Sequence, residues 1–301
     1  KGFDFQLGGT IIKNDNFSWN SDFNISFINN KVKKLPGGND IQQTERYLFG
    51  GVVSILREGE SLGSFYLYES NGVFSTAKEA AEAGYIDKIS KSNGGQPVAG
   101  DARWVDQNKD GVIDTKDKII AGNPIPDFTG GLNNTFKYKG LSLDAFFQFS
   151  KGNDVYNNFR TDLVRGFNTN YLKENLDAWK QEGDITDVPR NVLLDPANNS
   201  EGVVARPSTR FLEDGSFIKL KTVTLTYEFP NSVLEKLKLS GLKVYAKGTN
   251  LLTITKYSGF DPEVSVAQNN NAGQNGGFQF GIDRGLYPLS KSITLGLSLD
   301  F

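Results

Sequence analysis

Apolar and polar residues alternate with a period of two over several long stretches of this chain. In the clearest stretch, the last ten residues, one face carries Ile293, Leu295, Leu297, Leu299 and Phe301. The residues between them are Ser, Thr, Gly and Asp, which predicts a β-strand with one apolar face and one polar face. The same alternation recurs over residues 3–11, 17–27, 132–138, 141–149, 222–229 and 242–247.

Two weaker stretches, 44–56 and 63–72, bring the predicted number of strands to about nine. Most of these stretches are long for a soluble protein, in which strands are most often about 5–6 residues long. They match the roughly 9–11 tilted residues with which a strand crosses a bilayer. The pattern therefore favours an all-β fold whose antiparallel strands span a membrane, over the alternative of a soluble β-sandwich.

The predicted connections between these strands alternate between short and long. Short turns are predicted at 14–16, 57–61, 139–140 and 230–241. Long polar segments are predicted at about 30–43, 73–127, 151–216 and 251–291. If the last strand runs towards the periplasm, every short turn is periplasmic and every long loop external, as in outer-membrane β-barrels. We therefore expect an outer-membrane location with a periplasmic carboxy terminus.

Nine strands cannot form a closed wall of their own in lipid. The two edges of an open sheet would leave backbone groups unpaired in the bilayer, and each such group costs several kcal/mol. Bacterial single-chain barrels also have even numbers of strands. We therefore interpret residues 1–301 as the carboxy-terminal part of a larger barrel, with the rest of that barrel and membrane lipid as neighbours.

The composition excludes several classes of function. The chain has 33 Lys and Arg against 35 Asp and Glu, and this net charge of −2 argues against nucleic acid as a partner. It has no Cys and no His, which excludes disulfides, the usual zinc sites and His-based acid–base catalysis. The carboxylate pairs Glu213–Asp214 and Asp261–Glu263 leave a glycosidase as a remote alternative. We expect no enzymatic activity.

Residues 106–117 have the oxygen-rich pattern of a calcium-binding loop. Gly111 lies at the position of the sharp turn. Asp117 stands where the bidentate Glu is usual, so looser coordination is expected, and an Asp-rich turn without metal is the alternative. The predicted ligands of a structural Ca²⁺ are Asp106, Asn108, Asp110, the Val112 carbonyl, Asp114 and Asp117.

Aromatic residues and arginines are interspersed in the two longest carboxy-terminal loops. Aromatic faces beside amide and guanidinium donors suit a carbohydrate or peptide ligand. The alternative is that these side chains pack the loops against one another. The candidate ligand-binding residues are Tyr156, Phe159, Arg160, Phe167, Tyr171, Tyr257 and Phe278.

Several motifs make the chain similar to the SusC/RagA family of TonB-dependent outer-membrane transporters over its whole length. They are GSFY (63–66), DARWVD (101–106), GNPIPDF (122–128), FLEDGSFIKLK (211–221), GTNLLTITKY (248–257), GFDPEV (259–264), GLYP (285–288) and the terminal Phe301.

The resemblance implies a 22-stranded barrel with an amino-terminal plug domain and a TonB box. We expect the plug domain, the TonB box and about thirteen of these strands to lie outside residues 1–301. The resemblance also implies a SusD-like surface lipoprotein as partner, energy supplied through TonB, and import of oligosaccharides. The alternatives are a peptide importer of the RagA type and a porin or barrel-anchored surface binding protein without active transport.

Overall fold

The structure, a computed structural model, describes residues 1–45, 51–90, 92–164, 170–192, 198, 200–201, 204–264 and 280–301. Its largest feature is a seven-stranded antiparallel sheet, which we call the wall. The wall strands are β1 (Gly2–Lys13), β2 (Phe17–Ile28), β3 (Phe128–Tyr138), β4 (Leu141–Lys151), β5 (Phe217–Glu228), β6 (Gly241–Thr255) and β7 (Ser292–Asp300).

Each wall strand pairs with the next one along the chain, so the wall is a simple meander. The connections at one end of the strands are short, and those at the other end are long. The short ones are 14–16, 139–140 and 229–240, and the long ones are 29–127, 152–216 and 256–291. This confirms the predicted all-β class, and three of the four predicted short turns lie at one end of the wall strands, whereas 57–61 lies inside the connection 29–127.

The strand register places the apolar residues of neighbouring strands side by side on one face. Tyr138 lies opposite both Phe17 and Leu141, and Leu141 lies opposite Tyr227. Ile293 on β7 is 79% exposed, because none of the described elements covers this face. An apolar face left uncovered over seven strands is the arrangement that lipid satisfies.

Aromatic residues collect on the apolar face near the short turns. The rings of Trp19 and Phe136 stack with their centroids 5.6 Å apart. The Trp19 indole N–H donates to the Asn134 side-chain oxygen at 2.9 Å. Tryptophan and tyrosine prefer the membrane–water boundary because their rings are apolar and their polar groups need partners. This arrangement matches the aromatic girdle of barrel walls.

The wall contains seven strands rather than the predicted nine. The stretches 44–56 and 63–72 instead supply Gly51–Leu56 and Ser64–Tyr68 to a separate four-stranded sheet, with Ile41–Glu45 and Lys118–Gly122. Every residue of Ser64–Tyr68 is buried, whereas a wall strand leaves its apolar face exposed. These strands therefore belong to a buried core within the connection 29–127 and not to the wall.

The long connections in the structure therefore differ from the predicted long loops. The predicted loops 30–43 and 73–127 are two ends of one connection, 29–127. The predicted loop 251–291 begins later, at residue 256, because β6 continues to Thr255. The predicted boundaries of 151–216 match those of the second connection to within one residue.

The connections carry short elements only. The helices are α1 (Ala77–Ala81), α2 (Asn158–Val164) and α3 (Asn231–Leu237), and the 3₁₀ turns are Pro36–Gly38, Ser92–Gly95, Thr115–Asp117, Lys173–Asp177 and Thr209–Phe211. The remaining strands are Ser70–Val73, Ile86–Asp87, Ala102–Trp104, Val112–Ile113, Asp154–Asn157, Ser200–Glu201, Val204–Ala205, Leu212–Asp214 and Ile282–Asp283. Within the described ranges, no helix is long and apolar enough to cross a bilayer.

Candidate functional site

The three long connections pack together into one body, which we call the loop assembly (the described residues of 29–127, 152–216 and 256–291). Its first apolar core joins Phe65 of the first connection, Tyr156 and Phe211 of the second, and Ile282 of the third. A small sheet adds backbone pairing, because Asp154–Asn157 lies between Leu212–Asp214 and Ile282–Asp283. A shared apolar core and backbone pairing therefore hold the three connections together, and the candidate functional residues lie on this assembly.

Arg160 on helix α2 is the centre of the polar contacts beside this core. Its guanidinium contacts Glu174 at 2.7 Å and Glu213 at 3.3 Å, and it also donates to the Arg210 carbonyl. A planar guanidinium with five donors can hold several acceptors at once. Arg160 therefore ties α2 to two other segments of the second connection.

Glu213 extends this network to the third connection. Its carboxylate accepts hydrogen bonds from the Asn157 side chain and from the backbone N–H and hydroxyl of Ser258. Next to Ser258, the Tyr257 hydroxyl donates to the Asp283 carboxylate. Burial, together with this hydrogen bond to Asp283, raises the pKa of Tyr257. The tyrosine therefore stays neutral and keeps donating.

A second core contains the most buried ion pair in the described residues. The Arg206 side chain is fully buried and contacts Asp87, 6% exposed, at 2.8 Å. The guanidinium carbon lies 4.5 Å from the centre of the Trp104 ring, within the range of cation–π attraction. Tyr85 belongs to the same core, and burial raises its pKa to about 12. Nothing in the sequence signals this pair, since 119 positions separate its members.

The predicted ligand-binding residues fall into three groups in the structure. Tyr156 and Tyr257 are buried, and Arg160 is engaged in the ion pairs above, so these three support the loop assembly. Phe159 is partly exposed, and the centroid of its ring lies 5.6 Å from that of the exposed Phe260. Tyr171 is 53% exposed. Phe167 and Phe278 lie outside the described residues.

Where the third connection meets the wall, two lysines of β5 face two acidic residues. Lys219 contacts both Asp261 and Glu263 at 2.5 Å, and Lys221 contacts Glu263 at 2.6 Å. The two carboxylates of this pair are neutralised by lysines, which gives no support to a glycosidase role. We call these four residues the lysine–carboxylate cluster. Period-two alternation places both lysines on the polar side of the strand, a signal that sequence reasoning missed.

Residues 106–117 form a turn held by its own side chains. Asp106 accepts the backbone N–H groups of Lys109 and Gly111, both at 2.8 Å. Gly111 has φ of 76°, a left-handed conformation that favours glycine. Asp117 is fully buried and accepts the N–H of Asp114 at 2.8 Å.

The donor chemistry and the glycine position of this turn fit calcium, but its carboxylates are not gathered around one point. In the described part of the chain, no three acidic side chains lie close enough together to hold a metal ion. The predicted calcium site, formed by Asp106, Asn108, Asp110, the Val112 carbonyl, Asp114 and Asp117, therefore remains a prediction.

A meander wall with an uncovered apolar face, and with long connections at one end of its strands, defines part of a β-barrel of the outer-membrane type. The chain is 35% identical over its full length to TonB-dependent receptor P3 of Formosa agariphila, of which it covers 28%. It is 26% identical to TonB-dependent receptor SusC of Bacteroides thetaiotaomicron. This match again extends over the full length of the chain, and it covers 26% of the receptor.

Solved structures agree with the sequence comparison. The whole chain superposes on 29% of a chain in the structure of the RagAB peptide transporter, with a TM-score of 0.72 and 28% identity. No protein-family model matches the chain. The chain is therefore similar over its whole length to TonB-dependent receptors of the SusC/RagA type, which are outer-membrane β-barrel proteins, and it spans less than a third of the length of these relatives.

Proposed function

We propose that the chain is the carboxy-terminal barrel region of an importer that takes up oligosaccharides, works with a SusD-like surface lipoprotein and draws energy through TonB. The observation that supports this most strongly is the full-length match to TonB-dependent receptors, together with the seven-stranded wall. Contact with TonB belongs to regions outside this chain. The carboxy terminus lies on the periplasmic side in this proposal.

The polar face of the wall favours a polar, mostly uncharged ligand. This face is rich in Asn, Ser and Thr, as in the cross-strand pair Asn20 and Thr135. Such side chains offer both donors and acceptors to sugar hydroxyls. A peptide of the RagA type is the alternative, because RagAB is a peptide transporter and its chain is 28% identical.

Uptake with and without TonB tests the proposal. Cells that carry the full-length receptor should take up a labelled oligosaccharide mixture only when TonB is present. Uptake that continues unchanged without TonB would support a passive porin. A receptor that retains peptides but no glycans in a binding screen would support the peptide alternative, and binding without any uptake would support a surface binding protein.

We further propose that residues 106–117 bind a structural Ca²⁺. The residue pattern and the left-handed Gly111 support this. The variant Asp106→Ala with Asp110→Ala should make the first connection more sensitive to protease, and a chelator should do the same to the unchanged receptor. Equal cleavage with and without chelator would contradict calcium binding.

A further inference from the structure

The lysine–carboxylate cluster (Lys219, Lys221, Asp261, Glu263) joins two parts of the chain that differ in character. Lys219 and Lys221 lie near the start of β5, at the end of the wall that faces the loop assembly. Asp261 and Glu263 lie in the third connection, six and eight residues after β6 ends. The cluster is therefore a bridge between a membrane strand and an external segment.

Lys219 depends on this bridge for its charge. Its side chain is 3% exposed, and its ammonium group contacts both carboxylates. The ammonium nitrogen also lies 5.2 Å from the centre of the Phe217 ring. A buried ammonium without a partner is costly, so the two carboxylates have a strong reason to remain beside it.

The acidic segment presents its carboxylates in a fixed arrangement. Pro262 separates the two acids and is buried, and the Glu263 backbone N–H donates to Asp261 at 2.9 Å. Proline fixes one backbone dihedral, which lowers the entropy lost when both carboxylates bind. Two lysines and two carboxylates give the cluster no net charge.

The two ends of the segment 257–263 are held in different ways. Tyr257 is buried in the loop assembly and bonded to Asp283, whereas Phe260 is 60% exposed. Beyond Phe260, ion pairs join the described part of this segment to the wall, and the two carboxylates keep some exposure to solvent. The Asp261 and Glu263 side chains are 17% and 24% exposed, so water can reach the lysine ammonium groups when these contacts break.

We propose that the lysine–carboxylate cluster is a releasable electrostatic clasp that holds segment 257–263 against the polar face of the wall. With the clasp closed, the segment lies over the external end of β5. With the clasp open, the segment turns about the fixed Tyr257 and uncovers Lys219 and Lys221. This proposal concerns movement of a loop and holds whichever ligand the receptor takes up.

Amide hydrogen exchange in the full-length receptor in detergent tests the clasp. In the unchanged receptor, exchange at 258–263 should accelerate as ionic strength rises, because salt screens the ion pairs. The double variant Asp261→Asn with Glu263→Gln should exchange about tenfold faster at low salt and lose the salt dependence. Amides of β3 and β4 should stay protected in both, which shows that the wall remains folded.

Two further variants keep the test decisive. Lys256→Gln removes a charge one residue before the segment, and Lys256 forms no ion pair with the described residues, so it should behave like the unchanged receptor. If the double variant fails to assemble, Lys221→Gln removes one contact of Glu263 and leaves Lys219 in place. Exchange at 258–263 that depends neither on salt nor on these charges would overturn the proposal, even if uptake is TonB-dependent.

Discussion

Asp87→Asn should be among the most destabilising conservative changes in the loop assembly. The change keeps the shape of the side chain and keeps the oxygen that accepts the backbone N–H groups of Ile89 and Ser90. It removes the charge that faces Arg206, whose side chain has no exposure to solvent. Loss of one partner from a buried ion pair costs about 3–5 kcal/mol.

An exposed pair in the first connection, which also contains Asp87, provides the matched control. Arg57 and Asp40 are also 2.8 Å apart, but their side chains are 37% and 38% exposed. Exposed pairs contribute roughly 0–1 kcal/mol. Asp40→Asn therefore makes the same chemical change at the same distance, and burial is the principal difference between the two pairs.

Hydrogen exchange at amides that join the connections measures the effect. The backbone N–H of Tyr68 donates to Pro207, and that of Ala102 donates to Asn198. Asp87→Asn should accelerate exchange at these amides by about two orders of magnitude or more, while Asp40→Asn should change it by less than about tenfold.

A second substitution separates the lost pair from other effects of the change. Arg206→Met in the Asp87→Asn background should restore much of the protection, because no buried charge then remains unpaired. Equal effects of Asp87→Asn and Asp40→Asn would refute the reasoning that burial sets the cost of breaking these pairs.

Three further predictions follow from single contacts. The hydroxyl of Tyr85, with a pKa of about 12, favours the folded state while it is neutral, so its contribution should be lost as pH rises from 10 to about 12. Tyrosinate absorbance of Tyr85→Phe against the unchanged receptor measures this, and identical curves in that range would contradict it. Gly140→Ala should destabilise the wall by about 1–3 kcal/mol, because the new methyl carbon would lie only 2.4 Å from the Glu228 carbonyl oxygen. Urea unfolding in detergent checks this, with no shift as the contrary result. Trp19→Phe should leave Asn134 without its donor and cost about 1 kcal/mol in the same assay, and an unchanged midpoint would count against that bond.

The wall was predictable from sequence because lipid imposes a local rule. Each wall strand leaves every second side chain to the bilayer, so the alternation is written into consecutive residues such as 293–301. The stretches 44–56 and 63–72 follow a different rule. Their strands are covered on both faces, and a short buried strand carries no reliable period.

The loop assembly was much less predictable, because its contacts join distant segments. Sequence reasoning left open whether Tyr156 and Tyr257 contact a ligand or pack the loops together, and the structure buries both. An aromatic side chain in a long loop serves a core or a ligand equally well, and only its neighbours decide between them. Arg206 and Asp87 show the same limit for charges, since nothing near either residue in sequence identifies the other.

The error in strand number left the predicted sidedness intact for a geometric reason. The two misassigned strands were adjacent, so their removal took away one complete excursion across the membrane and back. Because the sides were counted back from the last strand, the earlier turn 14–16 therefore stayed at the same end of the wall strands as 139–140. A single misassigned strand would have exchanged the two sides for the part of the chain that precedes it. Assignments of sidedness in meander barrels are thus sensitive to the parity of the strand count rather than to the count itself.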